Sequence, residues 1–215
     1  LRDNFQELSE EIFNKFRIEK EDLIIDIGSN DGNLLSNFLN KAHILGVTPE
    51  DVGKFAIEKG IPTILDYFTS KLSKEIIKKY GLAKIITATN VFAHIDNIDE
   101  LLNSIFNLLK DDGIFIAESH YLLSLIENNQ YDTIYHEHLR YYSLSSLQYL
   151  FHKHNMEIVF AKRINTHGGS IRVYAGKKNK HKIDKSYLEL IDYENKELFS
   201  KELYNFKNKV IYSKL

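Results

Sequence analysis

Short apolar runs alternate with amphipathic segments along the first half of the chain. Runs such as DLIIDIG, HILGV, IPTIL, AKIITAT and DGIFIAES are too short for helices and are typical of strands buried on both faces. The segments 4–17, 70–81 and 98–110 carry apolar residues at helical spacing, and so do Leu34, Leu35, Phe38 and Leu39. The alternation predicts βαβ units, and therefore an α/β fold with a mostly parallel sheet and helices on both faces.

The second half of the chain follows a different order. The segment 143–155 has a helical pattern, 156–164 and 169–178 have the pattern of paired strands, and the tail 184–214 is predicted to be helical. The tail has too few apolar positions for a core of its own. We therefore expect one domain over residues 1–176 and a helical tail, 177–215, that leads into a further segment. Because the sequence starts with Leu inside a helical pattern, we expect it to be part of a longer protein.

Composition and charge narrow the classes of function. The chain has 215 residues, of which 43% are hydrophobic and 27% charged, with a net charge of −2, as in an ordinary globular protein. This balance predicts no nucleic acid polymer and no membrane surface as partner, and the basic run at 177–182 is interpreted as a solvated turn. The chain has no cysteine, which excludes disulfides and thiolate zinc sites and is compatible with a cytoplasmic protein.

A loop with a distinctive pattern, DIGSNDGN, follows the first predicted strand. Its acidic residue would repel a pyrophosphate, which disfavours a dinucleotide and favours a ligand with a cationic amino-acid moiety. That pattern is typical of S-adenosylmethionine (SAM) sites, with Asn30 at a glycine position because asparagine tolerates positive φ. The alternative is a tight turn without a ligand. The predicted cofactor-binding residues here are Asp26, Gly28, Ser29, Asn30, Gly32 and Asn33.

Two further positions are candidates for contacts with the cofactor. Thr48 stands where SAM sites usually have an acidic residue for the ribose, and a single hydroxyl cannot bind both ribose oxygens as a carboxylate does. Either Glu50 takes that role or the ribose is held more weakly. Asp66 is a candidate acceptor for the adenine amine, with a helix N-cap as the alternative.

Four stretches together resemble one family of enzymes. They are DIGSNDGNLL (26–35), TNVFAHIDN (89–97), YDTIYHEHLRYYSLSSL (131–147) and THGGSIRVY (166–174). The chain resembles SAM-dependent C-methyltransferases of deoxysugar biosynthesis, which methylate C3 of a nucleotide-linked 4-keto sugar. The resemblance implies a Rossmann-like class I methyltransferase fold, SAM as cofactor and a small nucleotide sugar as substrate.

Members of this family are about twice as long as this chain. The resemblance implies three parts: an N-terminal zinc domain rich in cysteine, a central methyltransferase domain and a C-terminal α/β domain. The resemblance implies that this sequence corresponds to the central part, and the active-site tyrosine that the family supplies from the zinc domain has no counterpart in it. We expect a monomer.

The third stretch carries the residues expected to do the chemistry. Methylation at carbon needs a carbanion equivalent, which a ketone provides when a base removes the neighbouring proton. The resemblance makes His138 this base, Glu137 a residue that orients or polarises a neighbouring group, and Tyr135 a contact to the sugar or its phosphates. It also makes His94 an active-site residue.

The resemblance also assigns residues around these groups. Asn90 and Val91 border the cofactor, and His167 with Gly168 belongs to the substrate pocket. His136 is interpreted as structural. Tyr141 and Tyr142 are interpreted as packing residues, and His43 and His152 as surface or core residues.

Alternatives to this interpretation belong to several classes. His136 and His138 could share a face of a strand and bind a metal, but no third or fourth ligand is evident nearby, so we predict no metal. An O-methyltransferase, or a methyltransferase for another small molecule, would need only a base and a shaped pocket. A fragment that binds SAM without catalysis is the alternative outside the enzymes.

Overall fold

The computed structural model describes residues 2–134, 138–198 and 201–213. The chain divides into two compact units: Leu1–Thr89 with Asn97–Ile116, and Asn90–Asp96 with Ala117–Leu215. Over the described residues, the helices are all too short or too polar to cross a membrane.

The first unit contains the predicted alternation of strands and helices. Its elements are α1 (Arg2–Lys15), β1 (Leu23–Ile27), β2 (His43–Val47), α2 (Gly53–Glu58), β3 (Thr63–Ile64), α3 (Ser70–Tyr80), β4 (Ala83–Thr89), α4 (Ile98–Leu108) and the start of β5 (Leu109–His120). β1 runs parallel to both β2 and β4, and β2 runs parallel to β3. Every residue of β1 and β4 is buried, as the continuous apolar runs predicted.

The local chemistry of α3 explains where that helix begins and ends. Thr69 is its N-cap, and the Thr69 hydroxyl accepts a hydrogen bond from the backbone N–H of Leu72 at 3.2 Å. Gly81 ends it at φ 85°, a backbone conformation that glycine adopts without strain. The helix predicted over 70–81 is confirmed.

The predicted helix after the DIGSNDGN loop is instead one short 3₁₀ turn, Leu35–Phe38. Ser36 Oγ and Asn37 Nδ2 donate to the Asn33 carbonyl oxygen at 2.7 and 3.1 Å, and such side-chain bonds compete with a regular helix. Asn40 then turns the chain at φ 62°. The apolar spacing was real, since Leu34, Leu35 and Phe38 are buried, but it did not require an α-helix.

The second unit contains the end of β5 and a hairpin. Its other elements are α5 (Leu122–Glu127), α6 (Leu144–Lys153), β6 (Met156–Ile164), β7 (Ser170–Lys177), α7 (Lys185–Leu198) and α8 (Lys201–Ser213). β6 and β7 are antiparallel, as predicted, while α5 was not predicted. The strand order in the sheet is β3-β2-β1-β4-β5-β7-β6, so the predicted mostly parallel α/β sheet is confirmed.

The helical tail packs within the second unit. Glu194 of α7 is fully buried, and its carboxylate accepts hydrogen bonds from the backbone N–H groups of Leu144 and Ser145 at the start of α6. The Tyr187 hydroxyl accepts from Gln148 Nε2 at 2.6 Å. The tail is therefore helical, as predicted, and α7 caps a helix of the domain. The domain boundary at residue 176 stays a prediction.

Candidate active site

The end of β1 carries a fixed carboxylate. Asp26 is buried, and its Oδ1 accepts a hydrogen bond from Thr87 Oγ1 of β4 at 2.6 Å. Both residues lie near the carboxyl ends of adjacent parallel strands, where ligands of open α/β sheets bind.

The loop after Asp26 is shaped by its backbone. Gly28, Asn30 and Gly32 have φ values of 79°, 48° and 76°, which confirms that Asn30 takes the positive φ expected at its position. The N–H of Gly28 donates to the Val47 carbonyl at 2.8 Å, which fixes the start of the loop to β2. A Cβ at Gly32 would lie 2.6 Å from Ile61 Cδ1, so a side chain has no room there.

Two predicted cofactor-binding residues are engaged with the protein itself. Ser29 is buried, and its Oγ would lie 2.5 Å from a Cβ placed on Gly46, so its side chain covers β2. The Asn33 carbonyl is occupied by the Ser36 and Asn37 side chains. The exposed residue of the loop is Asn30.

Thr48 and Asp66 differ in their surroundings. Thr48 is buried, and its hydroxyl accepts from the N–H of Glu50 at 3.4 Å, while the Glu50 side chain is exposed. Asp66 is exposed and accepts from the N–H of Tyr67 at 2.7 Å. Because Thr69 caps α3, the alternative of Asp66 as its N-cap is wrong.

These residues of the first unit fit the cofactor that the sequence predicts. A fixed carboxylate, Asp26, precedes a loop with left-handed residues in which Asn30 is exposed. A carboxylate at this place attracts a cationic group, and small residues let a ligand approach the main chain.

The second unit contains a cluster of four histidines around a cavity of about 230 Å³. The described residues that line it are Asn90, Ala93, His94, Ser119, His120, His138 and His167. We call His94, His120, His138 and His167 the histidine cluster. His120 and His138 are half-buried, and His94 and His167 are exposed.

The four rings form a row. The ring centroids of His94 and His138 are 5.1 Å apart, those of His138 and His120 are 4.7 Å apart, and those of His120 and His167 are 5.8 Å apart. His120 and His138 meet edge to face at 88°. These two histidines therefore occupy the middle of the row.

Different elements of the second unit hold the rings in place. His94 ends a 3₁₀ turn (Phe92–His94), and His120 is the last residue of β5. Near His138, the Arg140 guanidinium donates to the carbonyls of Ile95 and Asp96, so the segment after His138 is tied to the segment after His94.

His167 occupies the turn between β6 and β7. It has φ 50°, and the neighbouring Gly168 carbonyl accepts from Gln130 Nε2 at 2.7 Å. A Cβ on Gly168 would lie very close to Gln130 Nε2, and Gly168 has φ 78°, a backbone conformation that favours glycine.

The surroundings of His120 change the charge state of its ring. Burial lowers the pKa of His120, and the neighbouring His138, His167 and His94 lower that pKa further. Burial disfavours the imidazolium, and like charges nearby add to the effect. His120 is therefore held neutral at physiological pH.

A buried ion pair lies two residues before His120 in β5. Arg172 Nε of β7 donates to Glu118 Oε1 at 2.5 Å, and both side chains are fully buried. The N–H of Asn90 donates to the Glu118 carbonyl at 2.9 Å, which connects the cavity-lining Asn90 to the same strand.

Several predicted residues thus meet at one cavity. The structure brings together His94, His138, His167 and Asn90. The described lining does not include Gly168, and the predicted contact of Val91 with the cofactor stays a prediction. His120 and Ser119 were missed. The available signal was their place at the carboxyl end of a buried strand, GIFIAESH.

The remaining predictions for this stretch have different outcomes. Tyr135, His136 and Glu137 lie outside the described residues. Tyr142 is buried with its ring 5.2 Å from that of Phe92, which confirms it as a packing residue, and burial raises its pKa to about 12. The Tyr141 hydroxyl donates to the Thr133 carbonyl at 3.1 Å.

His43 and His152 lie outside the histidine cluster, and the metal alternative concerns His136 and His138. His43 and His152 are exposed, as one of their two interpretations predicted. Across residues 2–134, 138–198 and 201–213, no group of three or more His, Asp or Glu side chains is arranged to hold a metal ion.

The chain is similar to several known proteins. A family model described as "Methyltransferase domain" matches residues 1–160. The C-methyltransferase NovU of Streptomyces niveus is 41% identical over 156 residues, which are 72% of this chain and 37% of NovU. The chain thus spans well under half of that relative's length.

Two solved structures show the same architecture. A S-adenosylmethionine-dependent methyltransferase from Clostridium acetobutylicum aligns with a TM-score of 0.64 at 14% identity, over 83% of this chain and 93% of that one. Magnesium protoporphyrin IX methyltransferase from Synechocystis, solved with bound SAH, aligns with a TM-score of 0.62 at 12% identity, over 82% and 83%. At such identities these alignments establish the fold alone, and they confirm the predicted Rossmann-like class I methyltransferase fold.

Proposed function

This chain belongs to the methyltransferase domain family, and from that premise we propose that it methylates carbon C3 of a nucleotide-linked 4-keto deoxysugar with SAM as methyl donor. The observation that carries the proposal is the histidine cluster around one cavity, with a neutral imidazole at its centre. The similarity to a protein named as a C-methyltransferase supports methylation at carbon.

Residues of the first unit would hold the cofactor. The Asp26 carboxylate, kept in place by Thr87, would bind the cationic amino-acid part of SAM, and the backbone around Gly28 and Asn30 would pass close to it. Thr48 and Asp66 are the candidates for ribose and adenine. Bound SAM supplies an electrophilic methyl group.

His138 is the proposed base. The hydrogen on carbon C3 is acidic because the neighbouring ketone accepts the electron pair as an enolate. A positioned base typically accelerates such a step by ~10²–10⁴-fold, and an imidazole titrates near working pH. His138 lines the cavity and is packed between His94 and His120, which restricts the orientation of its ring.

The other predicted residues complete the substrate site. His94, His167 and Asn90 line the cavity and would contact the sugar. Tyr135 and Glu137 precede His138 in the sequence and are proposed for the sugar or its phosphates and for orienting a neighbouring group. We further propose that the chain is the central domain of a longer monomeric cytoplasmic enzyme.

Cofactor binding is tested by calorimetry with SAM and with its demethylated product. We expect saturable binding, and Asp26→Asn should weaken it, because a hydrogen bond to a charged group contributes about 1.5–3 kcal/mol. Absence of binding at roughly millimolar ligand would contradict the proposed cofactor.

The reaction is tested by exchange of the C3 hydrogen with deuterated solvent. We expect His138→Asn to lower the exchange rate by ~10²–10⁴-fold while SAM affinity is retained. His152→Asn, on the exposed face of α6, is the matched control and should exchange like the wild type. Wild-type methyl transfer without exchange, giving an O-methyl product by NMR, would replace the proposed reaction with O-methylation.

A further inference from the structure

His120 occupies the centre of the histidine cluster, although no role is assigned to it so far. It contacts His138 on one side and His167 on the other, and it is anchored as the last residue of a strand. A residue at the end of a central strand is held more precisely than a residue in a loop. This placement suits a group that must meet one atom of a substrate.

The proposed reaction needs a second group besides the base. When the C3–H bond breaks, its electron pair forms the C3–C4 double bond and the carbonyl pair moves onto oxygen. His138 takes the proton, and the oxygen becomes an enolate oxygen. Donors aimed at such an oxygen usually provide a large part of the catalysis.

Few side chains in the described lining of the cavity can donate to this oxygen. Among them are the amide of Asn90, the hydroxyl of Ser119 and the imidazoles, and no lysine or arginine is present in that described lining. His138 is occupied with the proton. His94 and His167 lie at the exposed ends of the row, whereas His120 is next to the base.

We propose that His120 is a further catalytic residue, which as a neutral imidazole donates a hydrogen bond to the ketone oxygen while His138 removes the proton from C3. The inference rests on the proposed function. Its step is balanced: His120 keeps its N–H proton, and the proton lost from carbon resides on His138.

The electrostatic surroundings of His120 support this role. His94, His138 and His167 face it, and Glu118, two residues earlier in β5, is neutralised by Arg172. Once His138 carries a proton, a second charge 4.7 Å away would be opposed by the first, so His120 stays neutral during the step. A neutral imidazole retains its N–H and can act as the donor.

The first experiment measures C3 deuterium exchange in two variants. His120→Leu removes the donor and should lower the rate ~10²–10³-fold, whereas His120→Gln keeps an N–H donor and should lower it less. SAM affinity, measured by calorimetry, should be unchanged in both, which shows that each variant is folded. Equal rates in Leu and Gln variants would overturn the donor role.

The second experiment separates donation from a mere effect on the orientation of His138. The 4-keto sugar, labelled with ¹³C at C4, is bound to His138→Asn, which does not turn over, and its carbonyl stretch is recorded by infrared spectroscopy. We expect a shift to lower frequency that disappears in His138→Asn/His120→Leu. Persistence of the shift in the double variant would overturn the proposal.

Failure of the proposed function gives a different result. If wild-type protein neither binds the labelled ketone nor exchanges its C3 hydrogen, the reaction itself is wrong. If it does both and His120 variants behave as the wild type, only the role of His120 is wrong.

Discussion

The DIGSNDGN loop of the first unit and the histidine cluster of the second unit are built in opposite ways. The loop depends on the backbone. Every second residue from position 28 to position 32 has a positive φ (Gly28, Asn30 and Gly32), and the buried Asp26 precedes them. The cluster depends on side chains: four rings come from four separate segments, and burial together with the other three rings lowers the pKa of His120.

The two regions are therefore sensitive to different kinds of substitution. A loop of this kind is damaged by any residue that cannot adopt its backbone, whatever the chemistry of the side chain. A cluster of this kind is damaged by changes of charge or position, including changes in the strand that carries it. The two regions should therefore respond to different substitutions.

The largest effect on stability is expected at the buried Glu118–Arg172 pair, two residues before His120 in β5. Glu118→Leu removes the carboxylate that accepts from the buried Arg172 guanidinium, so we expect the free energy of unfolding to fall by about 3–5 kcal/mol. Denaturant unfolding measures this. Asp112→Asn is the control, because the Lys84–Asp112 pair of the first unit is largely exposed at Asp112 and should contribute about 0–1 kcal/mol.

A double variant sharpens this result. Glu118→Leu/Arg172→Met removes both charges and should recover part of the lost stability. If Glu118→Leu costs no more than Asp112→Asn, the buried pair contributes no more to stability than the exposed pair does.

A smaller effect is expected in the loop. Gly32→Ala places an alanine at φ 76° with its Cβ 2.6 Å from Ile61. We expect the free energy of unfolding to fall by about 1–3 kcal/mol, and we expect SAM binding to be lost. Exchange of the C3 hydrogen, which depends on the cluster, should persist. Unfolding, calorimetry and exchange measured on one preparation test all three.

Gly60→Ala is the matched control for that change. Gly60 has φ 80° but no atom within 4 Å of an added Cβ, so it carries the backbone strain without the collision. It should keep SAM affinity. If Gly60→Ala impairs SAM binding as much as Gly32→Ala, the effect does not arise in the loop.

The smallest effect is expected from pH. The pKa of His120 in the folded protein is below the ordinary value of 6.5, because the ring is buried and faces other histidines. As pH falls below 6.5 the unfolded chain therefore takes up a proton before the folded chain does. Stability should therefore fall as pH falls through that window, and His120→Gln should remove this part of the pH dependence.

Chemical denaturation across this pH range provides the measurement. His152→Gln, at an exposed site, should leave the pH dependence as in the wild type. An unchanged pH dependence in His120→Gln would show that the neighbouring histidines do not hold His120 neutral.

Most of the secondary structure and the backbone of the DIGSNDGN loop could be predicted from local sequence. Alternation of apolar runs and helical spacing predicted the strands and most helices, because burial of one face imposes a period that can be read from local order. The positive φ of Asn30 was also predicted from local sequence, because it depends on one residue type at one position of the loop. The short 3₁₀ turn after the loop was not, because Ser36 and Asn37 compete for backbone groups there.

The full membership of the histidine cluster could not be predicted from local sequence, because it depends on which segments meet in the folded chain. His94 and His138 were predicted as active-site residues through the resemblance, and His167 as part of the substrate pocket. His120 stands in no motif, and it became part of the site because β5 ends beside His138. Its neutral state has the same origin: burial and the proximity of three rings arise from folding, and none of these is visible in the local sequence.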